Sequence, residues 1–264
     1  MTERVCFIGH DQPESAELQR LCPWPSIAHE MLPGIRLQDG RLWVEDPQRV
    51  RFLPVSRVVF HGIFEHDLDF LAALVLWGGP CFPAPLPMLD CRLRLSCLAR
   101  ALRYTRFGAP QREYAGPEVE FTAGAECVAK WGNWHCGENK ERFVGAHKSA
   151  DARLIEPYWT GEAVRVIMLG DYARQIRMTG RDWLKSVHGD GAAFMEIDPE
   201  LLADTKQVKE GFGLGIIAND YIVTASGSKH LLEVNHIPSV TCLPELWTAY
   251  RDLVLCWLRT STPA

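Results

Sequence analysis

Apolar residues fall in short blocks along the chain, and the spacing inside the blocks changes from place to place. VCFIG (5–9) has the continuous apolar character of a buried strand and closes on glycine. HDQPESAELQRL follows with the pattern of a turn and a short helix. Residues 22–56 are rich in proline and aromatic side chains and have weak periodicity. Short strands are expected there around Arg41–Val44 and Val50–Leu53. SRVVFHGI (56–63) predicts a buried strand, and Asp67–Trp77 a helix stopped by Gly78-Gly79. Strand, helix, strand, helix predicts a small parallel α/β unit over residues 1–84. Ligands bind at the carboxyl ends of strands in such sheets, where His10 and His61 fall, although a histidine beside a turn is more often structural.

The proline cluster Pro80–Pro87 predicts a stiff connector, neither helix nor central strand, and so a boundary near residue 85. Asp90 is expected to cap a helix CRLRLSCLARALRYT, ended by Gly108 and Pro110. REY (112–114), VEFT (119–122) and ECVAKWG (126–132) each predict a short strand. Lys130 lies near the end of the last, before a loop GNWHCGENKERF. RLIEPYW predicts a strand whose proline puts it at an edge or a bend. AVRVIMLG (163–170) and YARQIRM (172–178) predict a hairpin turning through Gly170-Asp171. Residues 179–194 are polar and glycine-containing and predict a loop. Pro199–Phe212 predicts a helix capped by Asp198 and stopped at Gly211/Gly213. Pro244–Arg259 predicts an amphipathic helix rich in Leu and Trp.

The segment Asp220–Ser239 carries the chemistry. IIANDYIV and LLEVN predict two paired strands, and Ser226-Gly227 is a credible two-residue turn between them. A turn there pairs Ala225 with Ser228 and sets Asp220 opposite Glu233, with Cβ atoms about 5 Å apart. Asn235 shares a face with Glu233, two residues on. Two carboxylates and an amide at that spacing repel one another unless a cation lies between them. All-oxygen ligands suit Mg²⁺ or Mn²⁺. The alternative is a solvated sheet face carrying ordinary charges.

Composition narrows the function classes. The chain has 264 residues, 47% of them hydrophobic, which suffices for a substantial core in one or two domains. A net charge of -5 argues against a general nucleic-acid binder. No apolar run reaches the roughly 20 residues of a membrane span. The N-terminus lacks the basic start and apolar middle of a signal peptide. The nine cysteines are scattered, odd in number and without Cys-x-x-Cys, which fits buried thiols in a reducing cytoplasm.

LIEPYWTGEAVRVIMLGD, RQIRM, DWLKSVHGDGAA, GIIANDYIV and LLEVNHIPS occur in that order. In order and spacing they resemble the ATP-grasp superfamily in its glutathione-synthetase/RimK-like branch, over roughly residues 86–264. The resemblance implies an α/β (α+β) protein: a small N-terminal α/β pre-ATP-grasp domain (1–85), then an ATP-grasp fold of two α+β lobes. These are a small nucleotide lobe (86–158) and a catalytic metal-binding lobe (159–264). It implies that Lys130 and the loop from Gly132 to Gly145 touch nucleotide phosphates. Glu156, Pro157 and Tyr158 fall at the hinge that holds the base, Glu162 at the ribose acid, and Arg165 at the family's strand arginine. Arg177 and Lys185 match basic positions facing the phosphates or an acyl phosphate, and Asp220, Glu233 and Asn235 match the Mg²⁺ ligands. Pro238-Ser239 matches the turn close to the substrate.

The chain departs from the pattern in three places. The phosphate loop carries Trp134, His135 and Cys136 in place of Gly and Ser. Lys185-Ser186-Val187 stands where the family has Arg-Ser-Asn. The lysine at the start of the domain's first helix has no equivalent, although Arg92 or Arg94 would fall near it.

The implied activity is an ATP-dependent carboxylate–amine ligase working through an acyl phosphate, with ATP and Mg²⁺. Its acid is a small-molecule or peptide carboxylate, and no nucleic acid or membrane partner is expected. Alternatives are an ATP-grasp small-molecule kinase and a non-catalytic nucleotide-binding module. A homodimer is the commonest assembly for such a chain. His188 or His236 would assist deprotonation of the amine, although each is more often a surface residue. Trp131 and Trp159 are expected in the core, and Trp134 and Trp183 over the ligand.

Overall fold

The computed structural model describes residues 3–108, 112–132, 139–180 and 182–262. The chain opens with β1 (Val5–Ile8), α1 (Gln12–Leu21), β2 (Ser26–His29), β3 (Ile35–Gln38), β4 (Arg41–Glu45), β5 (Phe52–Val55), β6 (Arg57–Phe60), α2 (Asp67–Trp77) and β7 (Cys81–Phe82). β2-β1-β6-β7 form a parallel sheet. β1 and β6 are buried along their whole length, which is why their sequences show no alternation. The proline- and aromatic-rich stretch, whose periodicity is weak, supplies β2 as well as an antiparallel meander of β3, β4 and β5.

The proline cluster is not an irregular connector. Cys81–Phe82 is the edge strand of the parallel sheet, and Pro85 opens α3 (Pro85–Arg92). Pro80 and Pro83 flank that strand without entering it, and Pro85 suits the first helical turn, whose backbone N–H groups need no helix partner. The helix expected after Asp90 is two helices, α3 and α4 (Arg94–Ala101), broken at Leu93, whose backbone is extended. Asp90 caps nothing and instead pairs with Arg100. Arg92 donates to Asp67 at 2.6 and 2.7 Å and locks α3 against α2.

β8 (Glu113–Ala115), β9 (Phe121–Trp131), β10 (Lys140–His147) and β11 (Arg153–Pro157) form an antiparallel sheet in the order β10-β9-β11-β8. Two short strands were expected where β9 runs unbroken through Gly124. β10 begins at Lys140, inside the expected loop. β11 is an inner strand, not an edge; Pro157 is tolerated because it is the last residue, where the chain leaves the sheet.

The third unit comprises β12 (Gly161–Leu169), β13 (Tyr172–Arg177), β14 (Ala193–Met195), α5 (Pro199–Phe212), β15 (Ile216–Thr224), β16 (Lys229–Asn235) and α6 (Pro244–Thr260). Its strands form one sheet, β14-β13-β12-β15-β16. The 179–194 segment is tied by a Thr179–Ser186 bridge and ends by entering β14, so it is more ordered than an aperiodic loop. α5 has the expected Asp198 cap, which accepts from the Glu200 and Leu201 amides, and a left-handed Gly213 at its end.

α5 packs Leu201, Val208 and Phe212 on Val164, Val166 and Met168 on one face of this sheet. On the other face α6 places Leu246, Tyr250, Val254 and Leu258, one per turn, against Ile167, Ile176 and Ile216. The same core includes Phe7 and Val59 of the parallel sheet, so α6 is shared between the N-terminal and C-terminal sheets.

Candidate functional site

A cleft of about 410 Å³ opens between the four-stranded and five-stranded antiparallel sheets. Its floor is built on β12, β15 and β16. Asp220 pairs with Arg165 on one side and with Glu233 on the other, so the three side chains form a row across adjacent strands. Asn235 Nδ2 lies 3.4 Å from Asp220 Oδ2 and completes the cluster.

The expected pairing of Asp220 with Glu233 is present, but by a different route. The turn has three residues, Ala225-Ser226-Gly227, with Gly227 left-handed at φ 82°; Thr224 N–H donates to the Ser228 carbonyl at 2.9 Å. That shifts the register by one, so Tyr221 faces Leu231. A β-bulge at Leu232 then restores it before Glu233. The bulge sets the Leu232 carbonyl 3.2 Å from Lys130 Nζ.

The opposite wall is cationic. Lys130 and Lys140 are direct partners on β9 and β10. Lys130 is buried and salt-bridged to Glu156, which also accepts from Arg112 at 3.1 Å. Burial pushes the Lys130 ammonium pKa down, opposed chiefly by the Glu156 carboxylate. Lys140 Nζ reaches across the cleft to Glu233 Oε2 at 3.1 Å.

One end of the cleft is apolar and aromatic. Val128, Ala163, Met178, Ile222 and Leu232 line it, with Tyr158 and Trp183 edge to face at 6.2 Å. The Arg142 guanidinium lies 4.0 Å above the Tyr158 ring. A flat heteroaromatic group has both faces and edges to meet here. Trp159 also lines the cleft, stacked on His230 at 4.4 Å, rather than lying in the core.

Among the sequence-predicted residues, Lys130, Glu156, Tyr158, Lys185, Asp220 and Glu233 meet in the cleft lining. Arg165 and Asn235 stand behind, contacting Asp220. Glu162 and Arg177 pair with each other, exposed, outside that lining. Lys185 donates to the Gly180 carbonyl at 2.9 Å, and His188 approaches Ser239 Oγ at 3.2 Å. Arg92 and Arg94 do not replace the missing helix lysine over this cleft, since Arg92 holds Asp67 and Arg94 holds the Trp131 carbonyl at 2.8 Å. Trp134, His135 and Cys136 lie outside the described residues.

Arg112 escapes the sequence reading, which takes Lys140 and Arg142 only as part of the Gly132–Gly145 loop and not singly. The available signal was alternation in KERFVGAH (140–147), which places Lys140 and Arg142 on one strand face.

The donor set suits a hard cation. Among the described residues no group of three or more His, Cys, Asp or Glu side chains could hold a metal. The candidate set is two carboxylates and an amide, all oxygen donors, with a lysine ammonium already resting on one carboxylate as a stand-in cation. Among the described residues no helix is long and apolar enough to cross a membrane.

No family profile matches the sequence, and no curated protein matches it. Solved structures do match in fold. An ATP-grasp ligase, PsnB, complexed with a minimal precursor aligns with a TM-score of 0.65 at 13% identity, over 98% of this chain and 100% of that one. A Chryseobacterium gregarium RiPP-associated ATP-grasp ligase, in complex with ADP and a leader and core peptide, aligns at 0.66 and 12% identity, over 96% of each chain. The D-alanyl-alanine synthetase A of Vibrio cholerae aligns at 0.67 and 13% identity, over 99% of each chain. Further PsnB structures hold Mg with ADP, or AMPPNP. Sheet order, cleft and full-length overlap together give the chain the ATP-grasp fold.

Proposed function

We propose that this protein is an ATP-dependent carboxylate–amine ligase that activates its acid as an acyl phosphate. The observation that carries the reading is the facing of Lys130 and Lys140 by Asp220 and Glu233 across one cleft with an aromatic end. That arrangement suits a nucleotide lying lengthwise, its base against Tyr158 and Trp183 and its phosphates between the cations and the carboxylates. ATP-grasp ligases of the same fold support it, among them structures bound to ADP, Mg or peptide. We propose the division 1–85, 86–158 and 159–264 for the substrate-side unit and the two lobes.

Phosphoryl transfer to a carboxylate needs positioning and charge neutralisation more than covalent chemistry from the protein. Lys130 and Lys185 would neutralise the phosphates. Lys130 is held at the bulge by the Leu232 carbonyl and Glu156, so its ammonium is oriented before the nucleotide arrives. Asp220, Glu233 and Asn235 would hold Mg²⁺, which supplies charge neutralisation of the β- and γ-phosphates when bound; Mn²⁺ would satisfy the same oxygen set. Arg165 orients Asp220. Glu162 and Arg177 stand at the rim, suited to the ribose and to the transferring group once their mutual pair opens.

The test is ADP release. A ligase releases ADP only when a carboxylate and an amine are both supplied, and ADP release with a lone acceptor would instead indicate a kinase. Short peptides and amino acids are the acids to supply first.

A further inference from the structure

Lys140 stands on the edge strand of one sheet, and Glu233 on the edge strand of the other. Their ion pair, 3.1 Å long, bridges the cleft. Both side chains are largely enclosed, at 14% and 10% exposure, so solvent screens the pair only partly. We propose that Lys140 is an internal placeholder cation. It occupies Glu233 in the nucleotide-free protein and moves to the nucleotide phosphates on loading, which makes metal binding depend on nucleotide.

Three features single out Lys140 for this role. Arg165 also neutralises a candidate ligand, but both residues of that pair sit in register on one rigid sheet, and the fork spans both Asp220 oxygens at 2.6 and 2.8 Å. That contact can persist. Lys130 is committed to Glu156 on its own sheet and to the Leu232 backbone carbonyl of β16 across the cleft, neither of them a candidate metal ligand. Lys140 alone among these cations reaches a candidate metal ligand from the opposite sheet, on a flexible four-carbon stem with a compact charge. It lies directly beside Lys130 in the ladder, so an ammonium released from Glu233 has the space before Lys130 as its nearest destination. It also supplies a second lysine where Arg92 and Arg94 are engaged elsewhere.

Charge accounting gives the direction. Lys140 and Arg165 already neutralise Glu233 and Asp220, and Glu156 is shared by Lys130 and Arg112, so the candidate metal ligands hold no uncompensated negative charge as they stand. A divalent cation arriving alone must displace Lys140 and leave its ammonium facing two positive charges. A metal arriving with polyphosphate brings the anion that receives Lys140. Metal alone therefore binds poorly, and metal with nucleotide binds well.

The second half rests on the ligase reading for its phosphates; the first half does not. Mn²⁺ titration of the nucleotide-free protein, followed by electron paramagnetic resonance, reads the placeholder by itself. Lys140→Gln is expected to tighten Mn²⁺ binding by roughly ten- to a hundredfold, the worth of one charge-assisted contact. Lys140→Arg, which keeps the cation, is expected to stay near wild type. Glu233→Gln in the Lys140→Gln background is expected to remove the gain. In the same samples Lys140→Gln is expected to weaken AMPPNP binding in Mg²⁺ by about tenfold. Unchanged or weaker Mn²⁺ binding in a Lys140→Gln protein that melts like wild type overturns the placeholder. Tighter Mn²⁺ binding in a protein whose wild type ignores Mg·AMPPNP upholds the placeholder and overturns the ligase reading.

Discussion

Arg165 and Asp220 face each other on adjacent strands, and the guanidinium fork meets both carboxylate oxygens, Nε to Oδ1 at 2.6 Å and Nη2 to Oδ2 at 2.8 Å. The pair is mostly enclosed, so removing one partner strands the other. Arg165→Ala is expected to destabilise the fold by about 3 kcal/mol. Asp220→Asn combined with Arg165→Met should cost less than the sum of the single changes. Denaturant midpoints of the four proteins check this, and strict additivity would contradict the pairing. Arg165→Lys keeps the charge but loses the fork, so it should weaken Mg·nucleotide binding more than it lowers stability.

Gly161 opens β12 at the point where the chain passes from one sheet to the other. A Cβ there would lie 2.3 Å from the Val223 carbonyl oxygen, a backbone atom that cannot swing aside. Gly161→Ala is expected to cost about 1–3 kcal/mol and to spread the cleft floor. A melting temperature within a degree of wild type would show that the strands tolerate the side chain.

The N-terminal sheet ends in a histidine pair. His10 stacks on His61 at 5.2 Å, and Tyr250 of α6 packs on both, with its hydroxyl 3.1 Å from His10 Nε2. Burial among surrounding atoms lowers the His61 pKa to about 4, and burial, with a smaller contribution from the neighbouring His61 ring, lowers that of His10 as well, although part of His61 reaches the surface. The unfolded chain takes up these protons near pH 6.5, before the folded protein does. Stability is therefore full above about pH 6.5 and declines as pH falls toward about 4. Urea midpoints at pH 7 and pH 5 should show the loss, and His61→Asn should flatten it. A midpoint independent of pH in this window would contradict a stability role for the histidine pair.

The parts of this fold that were legible in the sequence are those set by local chemistry. Asp198, Pro199 and Gly213 mark α5 because caps and stops act over one turn. Gly170-Asp171 marks its hairpin for the same reason. The order of the motif blocks made the ATP-grasp fold readable, and no single block would have done so. Less legible was whatever depends on a distant partner. Leu93 breaks a helix whose sequence is helical throughout, in a segment where Arg92 is drawn to Asp67. The bulge at Leu232 left no mark on the alternation of LLEVN; the pairing of Asp220 with Glu233 came out as expected only because two shifts of register cancel. Lys140 was hidden for a related reason. Its importance lies in which residue it reaches, and Glu233 is 93 positions away on another sheet.

The central claim is that this cleft holds a nucleotide with a divalent cation on Asp220, Glu233 and Asn235. Calorimetric titration of the wild-type protein and of Glu233→Gln with AMPPNP, in the presence and absence of Mg²⁺, tests it most directly. Wild type should bind only weakly without Mg²⁺ and at least about tenfold more tightly with it, while Glu233→Gln should lose that metal-dependent gain. No binding by wild type in Mg²⁺, or an equal gain from Mg²⁺ in both proteins, would contradict the account.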